Sequence, residues 1–351
     1  MACRRLIHYR RPMLDVDQSW LDQLAPEEPI GVGFPIVDPH HHLWDVPPRS
    51  TYTLKELRAD TDSGWPVEAT VFVECMSHYR AEGDGPKHLR FIGETEYVLE
   101  AARASADGSG ARIAGIVSRA DMTLGDAVEE VLRAHIEAGG GLFRGIRHAT
   151  SLDADLSIRG NHTKAAAGTM TTSGFAEGVR CLGRLGLSFD AWLFHPQIPD
   201  LATLARQAPE TTIILDHIGG PLAVGRHAGH ATEVDALWRA GIKELATCPN
   251  VVVKLGGIGM ADFGGDWRSQ PLPPSSEVLS SLWHDRFTFL IEQFGADRGM
   301  FESNFPVDKA SCSYVTLWNA FARMTSGASA GELRDLFRGT ANRVYRLGLS
   351  D

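Results

Sequence analysis

The amino-acid sequence predicts a single (β/α)₈ barrel, a ring of eight parallel strands that alternate with helices. Eight short stretches rich in β-branched and apolar residues recur along the 351 residues, and helical patterns lie between them. Barrels often run past about 250 residues as one domain, so the length suits this fold. In chain order the predicted strands are Ile36–His42, Thr70–Met76, Arg112–Ser118, Leu142–His148, Leu187–His195, Thr211–His217, Asn250–Gly256 and Arg298–Phe305.

The composition of the strands and of the segments between them supports this order. Runs such as VVVKL and TIILD are almost continuously apolar, as expected of parallel strands that are covered on both faces. Helical periodicity is clearest in DAVEEVLRAHIEAG, FAEGVRCLGRLG, LATLARQAP and FTFLIEQFG, and several of these segments stop at glycine. An open, doubly wound sheet is the alternative, but no GxGxxG motif follows the first strand.

We predict one barrel domain over residues 34–351, preceded by an N-terminal extension, residues 1–33. Two stretches follow strands without helical periodicity and are interpreted as insertions, Leu152–Thr172 after the fourth strand and Ala261–Ser276 after the seventh. Barrels keep their active sites at the C-terminal ends of the strands, so these insertions are expected to be lids or pocket walls. A disordered surface loop is the alternative interpretation.

Charge and cysteine content exclude several classes of protein. A formal net charge of −10 argues against a nucleic-acid surface, and no apolar run approaches the roughly 18 residues that span a bilayer. The basic segment Met1–Arg11 lacks the apolar stretch of a signal peptide. Five scattered cysteines without a CxxC pair favour reduced thiols and a cytoplasmic location. We therefore expect no nucleic-acid or membrane partner, and a homo-oligomer is an open alternative to a monomer. The negative charge does not argue against a small-molecule anionic substrate, because local arginines set the field of a pocket.

The strongest chemical signal is the segment VDPHHHLWD at the end of the first predicted strand. Side chains alternate along a strand, so His40 and His42 point to one side and His41 to the other. Two imidazoles at a barrel mouth can share a metal ion, or orient a water molecule and a substrate carbonyl. A polar strand end or an adventitious metal patch is the structural alternative.

Three more histidines end later predicted strands, namely His148, His195 and His217. Because the C-terminal ends of barrel strands meet on one face, all five strand-end histidines are expected in one pocket. Hydrogen-bonded structural histidines are the alternative for His148 and His195.

Four motifs in this order resemble the lactonase-type branch of the amidohydrolase superfamily. They are HxH after strand one, RGIRH in strand four, LDHIGGP after strand six and SNFP after strand eight, and the resemblance covers about residues 34–347. It implies a barrel whose mouth holds His40, His42 and His217, with an acid after strand eight that activates water to attack an ester carbonyl. Some members use one zinc ion and others use none, so the resemblance implies these histidines as metal ligands.

The sequence departs from the pattern of this family at the eighth strand. Asn304 stands where the family has aspartate, and Glu302 stands where it usually has glycine. An amide cannot act as a general base and is a poorer ligand than a carboxylate, so we expect any zinc to be weakly held and a metal-free mechanism to be open. Glu302 either supplies the displaced carboxylate or pairs with Lys254 inside the barrel, and the packed interior favours the pair. Asp308 is another candidate base.

Substrates of lactonase type carry carboxylates, which arginines bind well. Arg119 and Arg147, near the ends of strands three and four, are the candidates, with plain ion pairs as the alternative. Glu74 is expected inside or just above the barrel, as an acid or base if it is buried alone and as an ionised carboxylate if an arginine pairs with it. His78 and Tyr79, just past strand two, are expected in the pocket wall. His148 and His195 complete the set of predicted substrate-binding residues.

The sequence thus predicts a hydrolase that opens a lactone or related cyclic ester of a small carboxylated molecule. The motif FDAWLFHPQIPDLATLA after strand five favours this lactonase-type activity. A non-oxidative decarboxylase of an aromatic or unsaturated acid is the first alternative. A barrel that binds a small anion without turnover is the second, because Asn304 replaces the expected acid.

Overall fold

Eight parallel strands surround one axis in the computed structural model, which describes residues 16–46, 50–158, 163–265 and 267–350. Each strand pairs in parallel with the next one along the chain. The strands are β1 (Ile36–His41), β2 (Val67–Val73), β3 (Arg112–Ser118), β4 (Phe143–Arg147), β5 (Ser188–Ala191), β6 (Ile213–Leu215), β7 (Val251–Leu255) and β8 (Gly299–Phe301). A short antiparallel hairpin, Trp44–Val46 with Ser50–Tyr52, follows β1.

The ring closes between the first strand and the chain just beyond the last. His41 bridges Phe305 in parallel, the amide of His42 donates to the carbonyl of Phe305 at 2.8 Å, and the amide of Asn304 donates to the carbonyl of His40 at 2.9 Å. The predicted (β/α)₈ barrel is therefore confirmed, and the open-sheet alternative is wrong. Closure also brings the segment after β8 directly beside the histidines of β1.

The helices lie between the strands and cover the outside of the barrel. The helices are α1 (Gln18–Leu21), α2 (Leu54–Thr61), α3 (Ile92–Ala106), α4 (Glu129–Ala138), α5 (Ser173–Arg184), α6 (Ile198–Gln207), α7 (Ala231–Ala246), α8 (Ser276–Phe294), α9 (Tyr314–Met324), α10 (Ala330–Arg334) and α11 (Thr340–Tyr345). The four segments with the clearest periodicity fall in α4, α5, α6 and α8. None of the helices in the described ranges is long and apolar enough to cross a membrane.

The inside of the barrel changes from apolar to charged along its axis. Small apolar side chains from several strands, such as Val71 and Ile214, form a buried interior cluster. Tyr345 of the terminal helix α11 belongs to this cluster and closes the barrel from below. Above it, toward the C-terminal ends of the strands, the interior residues are ionisable, and this upper layer carries the candidate site.

Seven of the eight strands end one to four residues earlier than the sequence predicts, and after three of them the backbone turns sharply. β5 stops at Ala191, and His195 instead begins a tight turn with Pro196, which has no N–H to continue a strand ladder. β6 stops at Leu215, and His217 and Ile218 then adopt left-handed backbone angles, each with φ 51°. β8 stops at Phe301, before Asn304 with φ 55°. Such strained angles in non-glycine residues concentrate at functional sites.

The predicted extension and insertions pack against neighbouring loops where they are described. Ile30 donates its amide to Asn319 of α9 at 2.9 Å, and Leu152 donates its amide to Gln197 at 2.9 Å. Asp153 accepts from Arg226 at 2.7 Å and so joins the loops after β4 and β6. Cys75, Cys181, Cys248 and Cys312 are free thiols. Met1–Arg11, with Cys3, lies outside the described residues, as do residues 159–162 and 266 of the two insertions.

Candidate active site

Three buried histidines from two strand ends lie together at the C-terminal end of the barrel, and we call His40, His42 and His217 the inner histidines. The ring centroids of His40 and His42 are 5.0 Å apart, and those of His40 and His217 are 4.6 Å apart. His41 points away, as its alternation predicts, and its Nε2 lies 3.0 Å from the hydroxyl of Thr70. The closing of the barrel thus assembles a cluster from residues that are far apart in the sequence.

Hydrogen bonds to Nδ1 fix the orientation of the inner histidines. Nδ1 of His217 donates to Oε1 of Glu302 at 2.7 Å, and Nδ1 of His42 donates to the carbonyl of Val73 at 2.8 Å. Nδ1 of His40 lies 2.7 Å from Oε2 of Glu302. Because carbonyl and carboxylate oxygens only accept, the proton of His42 and His217 is on Nδ1, and Nε2 keeps its lone pair.

Glu302 is the carboxylate that holds this cluster together. It is fully buried, and its Oε1 also accepts the backbone amide of His217 at 3.1 Å. Its side chain fits because the neighbouring strand end has glycine at position 256, where an added Cβ would collide with the Cγ and carbonyl oxygen of Glu302. A displaced carboxylate on β8 was one of the two predicted roles of Glu302, and the contacts with two imidazoles agree with it.

The other predicted role, a Glu302–Lys254 pair, is wrong. Lys254 is fully buried, and its Nζ donates to Oδ2 of Asp190 at 2.8 Å. The same carboxylate oxygen accepts the hydroxyl of Tyr345 at 2.6 Å. Burial raises the pKa of Asp190 to about 6, against the charge of Lys254, which lowers it. Lys254 is therefore bonded to Asp190 rather than to Glu302.

Asp216 belongs to the site although the sequence reasoning did not single it out. Its carboxylate is fully buried, and neither oxygen has a hydrogen bond of conventional geometry within the described residues. The nearest charged nitrogens are Nζ of Lys254, at 3.3 Å, and Nη1 of Arg147, at 3.6 Å. Its position directly before His217 at the end of β6 was the signal that could have identified it.

Arg147 lies beneath the inner histidines in a buried ion pair. Its Nε donates to Oε1 of Glu74 at 2.9 Å, its Nη2 donates to the carbonyl of Glu74 at 2.5 Å, and its Nη1 lies 3.3 Å from Nε2 of His40. Burial lowers the pKa of Arg147, but the charges of Glu74 and Asp216 outweigh burial and raise it above its ordinary value. Arg147 therefore stays charged and holds both Glu74 and His40.

Asn304 and Asp308 form a pair on the far side of His217. Nδ2 of Asn304 donates to Oδ1 of Asp308 at 2.8 Å, and the amide of Gly259 donates to Oδ2 at 2.9 Å. Both side chains are buried, and burial raises the pKa of Asp308 to about 7 while the hydrogen bond from the amide of Gly259 lowers it. The amide at the family's aspartate position thus positions a second carboxyl group.

The two remaining strand-end histidines make different contacts, and we call His148 and His195 the outer histidines. Nδ1 of His148 accepts the amide of Met122 at 3.1 Å, and Nδ1 of His195 accepts the amide of Leu222 at 3.3 Å. The ring of His148 packs on Phe175 and that of His195 on His227. Within the described residues, the structure shows neither ring in contact with the inner histidines.

The pocket wall after β2 and β3 carries the other predicted residues. Arg119 lies beside Tyr79, and neither Nε of Arg119 nor the hydroxyl of Tyr79 has a conventional hydrogen bond within the described ranges. The guanidinium of Arg119 stacks over Phe91, 4.7 Å from the ring centroid. His78 is exposed and stacks on Tyr97 with centroids 3.5 Å apart. Arg119 and Tyr79 therefore place a guanidinium and a hydroxyl group side by side after β2 and β3.

A candidate metal site lies among the buried residues. One ligand atom from each of His40, Asp216 and His217 lies within 4.8 Å of the others, so by distance Asp216 joins this set in place of His42. Imidazole nitrogen and carboxylate oxygen suit zinc. Nζ of Lys254, however, lies 3.1 Å from Nδ1 of His40 and 3.3 Å from Asp216. A cation already lies beside two of the three ligands, so the residues do not fit a tightly held divalent ion.

Comparison with known proteins agrees with this geometry. The sequence profile described as Amidohydrolase matches residues 37–347. An L-fucono-1,5-lactonase of Burkholderia multivorans is 30% identical over 256 residues, which cover 72% of this chain and 77% of that one. An uncharacterised protein of Sinorhizobium fredii is 32% identical over 334 residues, which cover 89% and 98%. A B. multivorans amidohydrolase crystallised with zinc superposes with a TM-score of 0.68 at 26% identity, covering 89% of this chain and 99% of that one.

Proposed function

Because this chain belongs to the amidohydrolase family, we propose that it is a hydrolase that opens a lactone or related cyclic ester of a small carboxylated molecule. The similarity to an L-fucono-1,5-lactonase supports ring opening of a lactone. The observation that carries the proposal is the bond from Nδ1 of His217 to Glu302 at 2.7 Å, because it leaves Nε2 as a base. A His–carboxylate pair of this kind activates water in hydrolysis.

The proposed reaction needs only groups of this chain. Nε2 of His217 takes a proton from water while the water oxygen bonds to the lactone carbonyl carbon. Glu302 stabilises the resulting imidazolium and keeps its ring in place. The tetrahedral intermediate collapses, the bond between the carbonyl carbon and the ring oxygen breaks, and His217 returns its proton to that oxygen. The products are a hydroxyl group and a carboxylic acid, which loses its proton to solvent.

Two further groups have proposed roles around this base. Asn304 cannot accept the proton itself and instead holds Asp308 at 2.8 Å, so Asp308 is the second candidate for water activation. On the pocket wall, the unpaired Nε of Arg119 and hydroxyl of Tyr79 would bind a carboxylate of the substrate by charge-assisted hydrogen bonds. HEPES, which carries a sulfonate, is bound in one crystal form of the B. multivorans amidohydrolase and supports a small anionic ligand.

A substrate screen tests the proposal and its alternatives. Sugar-acid 1,5-lactones and a pyrone carboxylate would be followed by proton release, and aromatic acids by release of CO₂. We expect ring opening by the wild type and a loss of about 10²- to 10⁴-fold in kcat/KM in Glu302→Gln. Glu68→Gln is the matched control, because Glu68 pairs with Arg338 near the start of β2.

Three results would contradict the proposal or its mechanism. Turnover of an aromatic acid without any ring opening would favour the decarboxylase alternative. Tight binding of small anions with no turnover in the whole panel would favour a binding barrel. Ring opening that Glu302→Gln leaves unchanged would show that the His217–Glu302 pair is not the water-activating group.

A further inference from the structure

Two positively charged side chains surround the ligand atoms of His40 and Asp216. Nζ of Lys254 lies 3.1 Å from Nδ1 of His40 and 3.3 Å from Oδ1 of Asp216. Nη1 of Arg147 lies 3.3 Å from Nε2 of the same histidine and 3.6 Å from Oδ2 of the same aspartate. Each of the four ligand atoms that these two residues could offer to a metal therefore has a cationic nitrogen beside it.

Both cations are fixed by ion pairs with buried carboxylates, so moving either one costs free energy. Lys254 is fully buried and bonded to Asp190 at 2.8 Å, and Asp190 in turn accepts from Tyr345 at 2.6 Å. Arg147 is bonded through two nitrogens to Glu74. Moving Lys254 would take the bonded cation away from the buried carboxylate of Asp190, and moving Arg147 would do the same to Glu74. Separating a buried carboxylate from its cation is strongly unfavourable.

The buried carboxylate of Asp216 is nevertheless stabilised by positive charge beside its oxygens. Both oxygens are buried without a conventional hydrogen bond in the described part of the chain. An uncompensated carboxylate in a protein interior is costly, and either a metal ion or a fixed ammonium group can compensate it. A divalent ion added between His40 and Asp216 would meet two unit positive charges at close range in a medium that screens poorly.

We propose that Lys254, supported by Arg147, is the resident cation of this site and excludes divalent metal from the His40–Asp216–His217 ligand set. The ammonium group neutralises Asp216 and holds His40 against Glu302, so the site is assembled without a metal. On this proposal Lys254 of β7 sets the metal affinity, rather than the amide of Asn304 after β8. The inference concerns metal binding alone and does not depend on lactone hydrolysis.

The test removes the charge of Lys254 while keeping its length. Wild type, Lys254→Met and the charge-retaining control Lys254→Arg would be dialysed against EDTA, then titrated with zinc chloride in competition with a chromophoric chelator. We expect Lys254→Met to bind one zinc ion about 100- to 1000-fold more tightly than the other two. Adding Asp216→Asn to Lys254→Met should abolish this gain, which places the ion at the proposed ligands.

A second variant covers a loss of folding in Lys254→Met. Lys254→Gln with Asp190→Asn removes both charges of the buried pair, and zinc should raise its melting temperature but not that of the wild type. Stoichiometric zinc retained by the wild type through dialysis would overturn the proposal. The proposal would also be overturned if zinc affinity rose in Asn304→Asp but not in Lys254→Met or in Lys254→Gln with Asp190→Asn. The amide of Asn304 would then be the cause of the weak zinc binding.

Discussion

The inner and outer histidines lie at the same end of the barrel but use their rings in opposite ways. His217 donates from Nδ1 to Glu302, and His42 donates from Nδ1 to the carbonyl of Val73. His148 and His195 instead accept backbone amides at Nδ1. His42 and His217 therefore keep a lone pair on Nε2, whereas the outer rings carry their proton on Nε2 and hold loops in place.

We propose that the partner of Nδ1, rather than the position at a strand end, separates a reactive histidine from a structural one. A carboxylate or carbonyl that accepts from Nδ1 leaves a lone pair on Nε2. A backbone amide that donates to Nδ1 occupies the lone pair of Nδ1, so the proton is on Nε2. Both kinds of residue occupy the same place in the sequence pattern, so only the fold distinguishes them.

The largest expected effect compares His217→Asn with His195→Asn. We expect kcat/KM for ring opening to fall by about 10²- to 10⁴-fold in His217→Asn, because the general base is lost. His195→Asn should keep kcat/KM within a small factor and lose about 1 kcal/mol of stability with its hydrogen bond. Equal loss of activity in the two variants would break the distinction between inner and outer histidines.

The second prediction concerns the charges that hold the inner histidines. Arg147→Ala takes the guanidinium away from the buried carboxylate of Glu74, so we expect the free energy of unfolding to fall by about 3–5 kcal/mol in denaturant titrations. Arg119→Ala is the matched control, because Arg119 makes no such ion pair within the described residues, and this variant should instead raise KM for an anionic substrate. A raised KM with unchanged stability in Arg147→Ala would return Arg147 to the substrate-binding role that its strand position predicts.

The third and smallest effect is a pH dependence of the outer histidines. Burial and the neighbouring His227 lower the pKa of His195 to about 4, below its ordinary value near 6.5. The unfolded chain therefore binds a proton first as the pH falls, so the contribution of His195 to stability is intact above about pH 6.5 and is lost progressively below it.

The matched measurement is the free energy of unfolding of wild type and His195→Gln between pH 7 and 5. The free energy of unfolding of the wild type, relative to that of His195→Gln, should fall by about 2 kcal/mol between pH 7 and pH 5. Taking the difference cancels the buried acids that titrate in the same range, such as Asp190 and Asp308. A difference that stays constant with pH would show that His195 is not held neutral.

Much of the barrel could be predicted because its determinants are local. The period-two alternation in HHH correctly placed His41 outside and His40 inside, and apolar runs located the strands within a few residues. Strand ends were less accurate, since the left-handed turn at His217 depends on contacts with Glu302 across the barrel. No local pattern contains that information.

The site itself was predicted only where single residues carry unusual chemistry. Histidines at strand ends are uncommon and therefore indicate a site, whereas Asp216 and Asp190 are indistinguishable by sequence from ordinary polar residues of strands. The partner of Lys254 was misjudged because Glu302 and Asp190 lie on the two sides of the same barrel interior, and sequence alone does not fix which carboxylate a lysine reaches. Long-range closure of the ring decides such pairings.

The glycine at position 256 has a consequence for how this site can arise and be recognised. A Cβ there would collide with the backbone carbonyl oxygen of Glu302 as well as with its Cγ, so glycine is required at this position whatever side chain position 302 carries. Position 302 can therefore change alone, whereas position 256 cannot. A search for Glu302 together with Gly256 and the first-strand histidines would separate chains that share this site from barrels that share only the fold.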